Sequence, residues 1–412
     1  MKKKVVLFVL ILAIVIGFCF IKKDSKETIF VDNSKDNNNL LSMLLETEEN
    51  SGKYEEVTRS EWPTEGYVFN TTLSRCENGG NLSWDNEKKI VIMDSDSSDK
   101  CYVYFDRLIS IAEYVKYLYT GIQGENNLYL HDDTLENGAG DGSYRYAGAS
   151  DSTNNFVCFG YDSTDGTCPS DNLYRIIGVF GDNVKLIKYD YATDTLLGKN
   201  GDYDNTYSGH GWSGTSAGTS LGSNTKEKIG VYSWNGKAQG TYSNIWGTSL
   251  LNKINLNSEY LNNIGTTWSN KIAITTWKVG GNTTSNIHGT TVLNTYKNEI
   301  ISPATDSTVS AKVGLMYVSD YGYAAEPSIW TINLNAYKSA DVVELNWMYM
   351  GLIEWTITPD SDTTNWVYSV RYEGEVNLTQ SFTLAVRPVF YLESSVNYVS
   401  GNGTKDMPYI ID

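Results

Sequence analysis

Few side chains in this sequence are spaced for chemistry. The three histidines, His131, His210 and His288, stand far apart, so no two have the close spacing that puts metal ligands on one element. His210, within Gly209-His210-Gly211-Trp212, reads as a loop residue. Of five cysteines, Cys19 sits in an apolar run. The other four, Cys76, Cys101, Cys158 and Cys168, lack the C-x-x-C spacing of a zinc or redox site. Their order favours two local disulfides, Cys76–Cys101 and Cys158–Cys168, although four cysteines permit other connectivities. Sulfurs paired in this way cannot serve as thiolate nucleophiles. No G-x-S-x-G elbow, phosphate loop or dinucleotide fingerprint occurs. Carboxylates are abundant, but no acid–base pair stands out by spacing. The expectation is a non-catalytic protein, with no cofactor and no bound metal.

Residues suited to recognition are denser. Between Trp347 and Arg387 lie Trp355, Asp360, Asp362, Trp366, Tyr368, Arg371 and Tyr372. Aromatic side chains there could stack on sugar faces or anchor a protein at low entropic cost, so this stretch is the candidate ligand-binding surface. Trp347 and Arg387 read differently, as a core-filling ring and the holder of a buried hydrogen-bond network. Asp132-Asp133 and the glycine-rich run 138–142 lack the D-x-[DN]-x-[DN]-G spacing of a calcium loop and read as solvated loop.

The chain opens with three lysines and then runs apolar over 17 residues, 5–21, before Lys22 and Lys23. That length lies at the lower edge of what spans a bilayer as a helix. No small-residue cleavage pattern follows it, so the expected form is an uncleaved signal-anchor, with a cleaved signal or acylation at Cys19 as alternatives. Each places the body outside the cytoplasm. The formal charge is −17, although the first 26 residues carry six lysines and one aspartate, so the body is more acidic still. An acidic body repels phosphate backbones, which argues against nucleic acid as a partner. Aromatics reach 13% with charged residues at only 20%, and Gly, Ser, Thr and Asn are frequent, a composition of short strands and polar turns.

These elements divide as follows. Residues 1–23 form the membrane segment and 24–55 a polar spacer, with a partial helix at Leu40–Leu45. Residues 56–106 form a small disulfide-stapled β module ending in Cys101-Tyr102-Val103-Tyr104-Phe105. Residues 107–150 are a helix, Arg107 to Thr120 with Gly121 as its C-cap, and a turn-rich connector. Residues 151–412 form the last domain. It opens on a β-hairpin, 173–180 and 184–187 around Gly181-Asp182-Asn183. An amphipathic helix is predicted over Ile245–Tyr260, and strands over Lys271–Ile274, Val313–Val318 and Leu384–Leu392.

The order of the hairpin, a helix carrying Trp246, Leu250 and Leu251, the strand 314–318, the aromatic segment Asn346-Trp347-Met348-Tyr349 and the terminal Val386-Arg387-Pro388-Val389 resembles a group of bacterial surface domains. Those carry a Trp-Trp-Leu-Arg-Ser-like segment ahead of a Val-Arg-Pro strand, and look like members of the C-type-lectin-like fold shared with formylglycine-generating enzymes and retroelement target proteins. Here the aromatic segment reads Trp347-Met348-Tyr349-Met350, without the arginine. Glu326-Pro327-Ser328 resembles the Glu-Pro-Asn sugar–calcium motif and Asp360-Ser361-Asp362 adds carboxylates, but the companion Trp-Asn-Asp is missing, so both read as exposed acidic loops. The resemblance implies a fold that is mainly β with a few helices (α+β): a C-type-lectin-like C-terminal domain, a small β-sandwich-like module and an N-terminal transmembrane helix. It implies a single-pass bacterial membrane protein whose extracellular body binds a glycan or a surface protein. A structural envelope subunit, and an enzyme of the formylglycine-generating type, are the alternatives.

The cysteine reading has a direct check. Thiol titration of the denatured, unreduced chain should find Cys76, Cys101, Cys158 and Cys168 all unreactive; four additional reactive thiols would overturn the pairing.

Overall fold

The computed structural model describes residues 29–31, 41–48, 51–58, 62–63, 66–85, 88–94, 99–162, 167–198, 210–211, 229–235, 243–282, 290–380 and 383–412. With 35% strand and 21% helix, the fold is mainly β with few helices, an α+β arrangement. The apolar segment 5–21, Cys19 and His288 lie outside the described residues. Among the described residues no helix is long and apolar enough to cross a membrane. The chain divides into two compact units, 1–108 and 109–412.

In the first unit the strand Cys101–Arg107 alternates, with Cys101, Val103 and Phe105 buried and Tyr102 and Tyr104 partly exposed. This is the period-two pattern of a half-buried strand. It pairs in parallel with Leu41–Glu46 and antiparallel with Tyr67–Phe69 and Arg75–Cys76. A second sheet joins Ile29–Val31, Ile90–Asp94 and Asn81–Asp85. Val91 of that sheet shares one core with Met43, Leu45, Val103 and Phe105 of the first. The Cys76–Cys101 disulfide is formed. Leu41–Glu46 is therefore a strand inside the module, where a partial helix in a spacer was expected. A short apolar run has no period of its own to tell helix from strand; here pairing to a segment some sixty residues downstream decides it.

In the second unit the predicted hairpin is present as Leu173–Phe180 and Asn183–Lys188. It is the centre of a seven-stranded sheet that also holds Tyr144–Tyr146, Leu128–Leu130, Phe156–Cys158, Val389–Tyr391 and Val313–Gly314. The Cys158–Cys168 disulfide closes the loop ahead of it. A six-stranded sheet contains, in order, His210–Gly211, Gly230–Ser233, Thr383–Ala385, Glu354–Pro359, Trp366–Val370 and Val376–Gln380. Buried side chains from both sheets belong to one hydrophobic core.

Several predicted elements shift. The first helix is shorter, Ile111–Tyr117, because Ser110 and Glu113 form a capping box at its start and the preceding strand runs on to Arg107. The amphipathic segment splits into a turn at Trp246–Thr248 and a helix at Leu251–Tyr260. Lys271–Ile274 is not a central strand; the strand is Thr275–Lys278, in a two-stranded ribbon with Thr308–Ala311. Val313–Val318 stops being a strand after Gly314, and Val318 starts a short helix to Tyr323.

The most consequential shift is in Leu384–Leu392, which serves two sheets. Thr383–Ala385 belongs to the six-stranded sheet and Val389–Tyr391 to the seven-stranded one. Val386-Arg387-Pro388 crosses between them, and Pro388, lacking an N–H, suits a break in the ladder. The Arg387 guanidinium, buried, donates from Nε and Nη2 to the two carboxylate oxygens of buried Glu354 at 2.7 Å each, and from Nη2 to the Met348 carbonyl at 2.7 Å. Trp347 is also buried, its Nε1 donating to the Tyr146 carbonyl. Both residues have the core roles expected of them. Arg175 is held by neutral acceptors, Asn155 Oδ1, Ser150 Oγ and the Thr153 carbonyl, and stacks on Phe156 and Trp347. Burial pushes its pKa down to about 9, still cationic at neutral pH.

The two ends of this unit are clasped together. Ile111 donates its N–H to the Val396 carbonyl, Tyr398 to that of Ile109, and Asp412 to that of Asn397. Tyr114 stacks on Tyr398 with ring centroids 3.7 Å apart.

One buried acid spans elements. Glu299 accepts from the backbone N–H groups of Val318 and Ser319 and from the Thr358 hydroxyl. Burial raises its pKa from 4.5 to about 7 despite those hydrogen bonds. The native state thus holds this proton more tightly than the unfolded chain, so the group's contribution to stability is full below pH 4.5 and is lost as pH rises towards 7.

Two stability measurements follow. Arg387→Met alone should cost about 3–5 kcal/mol in urea unfolding, because Glu354 is left buried and unpaired, and adding Glu354→Leu should recover most of it; a double variant as weak as the single one would contradict this account. Glu299→Gln should flatten the fall of stability between pH 4.5 and about 7, and an unchanged slope there would show that Glu299 does not titrate in that window.

Candidate functional site

The predicted recognition residues lie along Glu354–Pro359, Trp366–Val370, Val376–Gln380 and their connections. All of Glu354–Pro359 is buried, as is Trp366–Val370 apart from Trp366. Continuous burial of this kind marks a sheet covered on both faces. Trp355 is accordingly a core residue, its Nε1 donating to the Tyr232 carbonyl at 2.8 Å. Tyr368 is also core, its hydroxyl donating to the Asn282 carbonyl at 3.3 Å. Neither ring is free to meet a ligand, which corrects the expectation for both.

The remaining residues separate into two groups. A five-residue strand is about 17 Å long, so Trp366–Val370 holds its two ends well apart. Arg371 and Tyr372 are at one end, half-buried in a turn where the Arg371 N–H donates to the Glu375 carbonyl and the Tyr349 hydroxyl donates to the Tyr372 carbonyl. Asp360, Asp362 and Trp366 are at the other end, in the loop 360–365 or at its edge.

That second end borders an open cleft of about 370 Å³. The loop supplies Asp360, Ser361 and Thr363 to one wall. Asn244 fastens it: Nδ2 donates to the carbonyls of Asp360, Thr363 and Trp366 at 2.7–3.0 Å, and its N–H donates to that of Thr364. The Asp360 carboxylate accepts from the Thr363 hydroxyl and the Asp362 N–H, while the Asp362 side chain is exposed. The cleft's apolar lining comes from Ile245, Val279 and Val309; Ile245 is 61% exposed. Gly280 lines the cleft too, followed in the chain by Gly281. A Cβ on Gly280 would fall 1.6 Å from the Thr305 carbonyl oxygen, and Gly281 takes φ +78° beside the Pro359 carbonyl, so neither position admits a side chain. Several polar atoms here are buried without a partner: Ser361 Oγ, Asn282 Oδ1, Thr295 Oγ1 and Trp246 Nε1. Ser361 and Trp246 line the cleft, and Asn282 bonds the Pro359–Ser361 backbone.

Sequence reasoning named the acidic loop but missed Asn244, Ile245 and Gly280. The adjacent glycines 280–281 were the available signal, since paired glycines mark close backbone approach.

Among the described residues, Asp141, Asp132 and His131 are occupied structurally. Asp141 accepts from Arg145, Ser143 and the Tyr296 hydroxyl, and these, Arg145 foremost, hold its carboxyl well below the usual range against the effect of burial. Asp132 accepts from Thr134. His131, buried, accepts from the Ala139 N–H through Nδ1, and burial, with Arg145 nearby, keeps it neutral by lowering its pKa well below the ordinary value. Glu326 starts a single helical turn, Pro327–Ile329. Cys76, Asp99 and Cys101 lie close enough to hold a metal. Both sulfurs are in the disulfide, however, and Asp99 accepts from the N–H groups of Asn78 and Gly80.

Compared with known protein families, with curated proteins and with solved structures, the chain shows no match in any of the three.

Proposed function

We propose that residues 109–412 form a non-catalytic recognition domain that takes a hydroxyl-rich ligand, a glycan in the first instance, in the cleft beside the loop 360–365. The observation that carries this reading is the composition of the cleft. The cleft is lined by the polar loop residues Asp360, Ser361 and Thr363, clamped by Asn244, and by an exposed aliphatic side chain, Ile245. A sugar presents the same pairing of hydrogen-bonding edges and apolar face. A loop held in place by Asn244 also limits the ordering entropy lost on binding. The surface is smaller than the stretch 355–372, drawing on Asp360, Asp362 and Trp366 together with Asn244 and Ile245.

The finer assignment of the domain is C-type-lectin-like. It is supported by the hairpin at 173–188 and the Val-Arg-Pro segment, the two motifs that carry the resemblance, being neighbours: Asn183–Lys188 pairs with Val389–Tyr391. The paired ends of the unit also favour it. In the same proposal residues 5–21 anchor the chain in a bacterial membrane and the body faces outward. Two disulfides among the described cysteines support an oxidising compartment.

The test is a glycan array probed with the full chain in detergent, repeated with Ile245→Asp at the cleft and Tyr372→Ala at the far end of the strand. Ile245→Asp should reduce the signal at least about tenfold, the effect of losing one well-packed contact of roughly 1.4 kcal/mol, and Tyr372→Ala should leave it unchanged. No glycan bound, or binding indifferent to Ile245→Asp, would overturn the assignment.

A further inference from the structure

In the seven-stranded sheet Lys185 is almost fully buried, directed at an equally buried aspartate. Its Nζ lies 2.5 Å from Oδ2 of Asp320, and the two side chains are 1% and 3% exposed. Four rings surround the ammonium, those of Phe180, Trp277, Tyr317 and Tyr391, with centroids 4.7–5.7 Å from Nζ. The same Oδ2 accepts the backbone N–H of Tyr317 at 2.8 Å. A pair of full charges so enclosed is costly to keep, because each ion has given up its hydration.

We propose that Lys185 and Asp320 condense spontaneously to an intramolecular isopeptide bond after the chain folds. The amine and the carboxyl are already in contact, with the carboxyl carbon one bond beyond Oδ2, so forming the new bond asks for a small movement of two enclosed side chains. Atoms and charge balance without a co-reactant. Nζ forms a bond to Cγ of Asp320, and the Cγ–Oδ1 bond breaks. Of the three protons on the ammonium, two leave with Oδ1 as water and one stays on the new amide nitrogen. Oδ2 remains as the amide oxygen, on the Tyr317 N–H. Converting two buried ions to one neutral amide removes the desolvation cost of both, and expulsion of water into solvent favours the product.

A proton carrier stands at the same turn. Glu299 accepts from the N–H groups of Val318 and Ser319, the two peptide units following the one that Asp320 caps. Its carboxyl, raised by burial to about 7, holds and releases a proton near neutral pH. Its charge acts on Asp320. Arg145, whose charge also acts on Asp320, and the Tyr391 hydroxyl, which hydrogen-bonds Lys185, complete the polar surroundings.

Mass spectrometry of the full chain tests this without any variant. The reduced protein should be lighter than its sequence mass by one water. Trypsin should fail to cut after Lys185 and yield a branched species, Ile176–Lys188 joined through Lys185 to Val313–Lys338. Recovery of Ile176–Lys185 and Val313–Lys338 as separate unmodified peptides would overturn the proposal. Lys185→Arg and Asp320→Ala should each abolish the branched species and restore the missing water.

Discussion

The architecture of the larger unit hangs on one buried ion pair. Arg387 sits where the chain leaves one sheet for the other, and Glu354 is the first residue of a strand in the sheet being left. The two-pronged contact between them fixes the crossover against that strand, and the third bond, to the Met348 carbonyl, fixes it to the aromatic segment. Neither charge has access to water, so neither is tolerated without the other. Registry follows from this requirement: with Arg387 held, Ala385 must face Glu354 on one side and Val389 must meet Ile187 on the other. An apolar substitute could fill the volume, but it would not single out one crossing point along nine consecutive, mostly apolar residues.

Local signals reported local structure well. The hairpin at 173–188 and both disulfides depend on residues close in sequence, a turn and a cysteine loop, whereas the helix expected from Arg107 begins only after Ser110, at a capping box that sequence reasoning missed. What the sequence concealed is long-range. Leu41–Glu46 looks equally like a helical patch until Cys101–Arg107 pairs with it. Leu384–Leu392 is an unbroken strand by composition, and only the Arg-Pro step hints that two sheets share it. Trp355 and Tyr368 have the chemistry of recognition residues, but a sheet covered on both faces leaves them nothing to recognise. Composition along a strand does not say how many of its faces are covered.

The cleft shows the same division. Its acidic loop is continuous in sequence and could be read directly. The residues that shape it, Asn244, Ile245 and Gly280, come from segments far from that loop and have no feature that ties them to it before folding. The loop is held from outside by a single amide side chain shared among three carbonyls. Its own Asp360 and Thr363 side chains add bonds within it, so its form depends on both.

The clasp between the two ends of the larger unit has a mechanical meaning. Asn397 bridges to Ser110 through its backbone and its carbonyl accepts the N–H of Asp412, while Tyr398 bonds Ile109 and pairs with Ile411, so residues 109 and 412 are joined by a short path. A pull applied at those two points is borne by a handful of hydrogen bonds and the stacked rings of Tyr114 and Tyr398. Load at residue 412 also reaches the seven-stranded sheet, since the Cys158 N–H donates to the Tyr409 carbonyl and the Tyr409 N–H to that of Phe156.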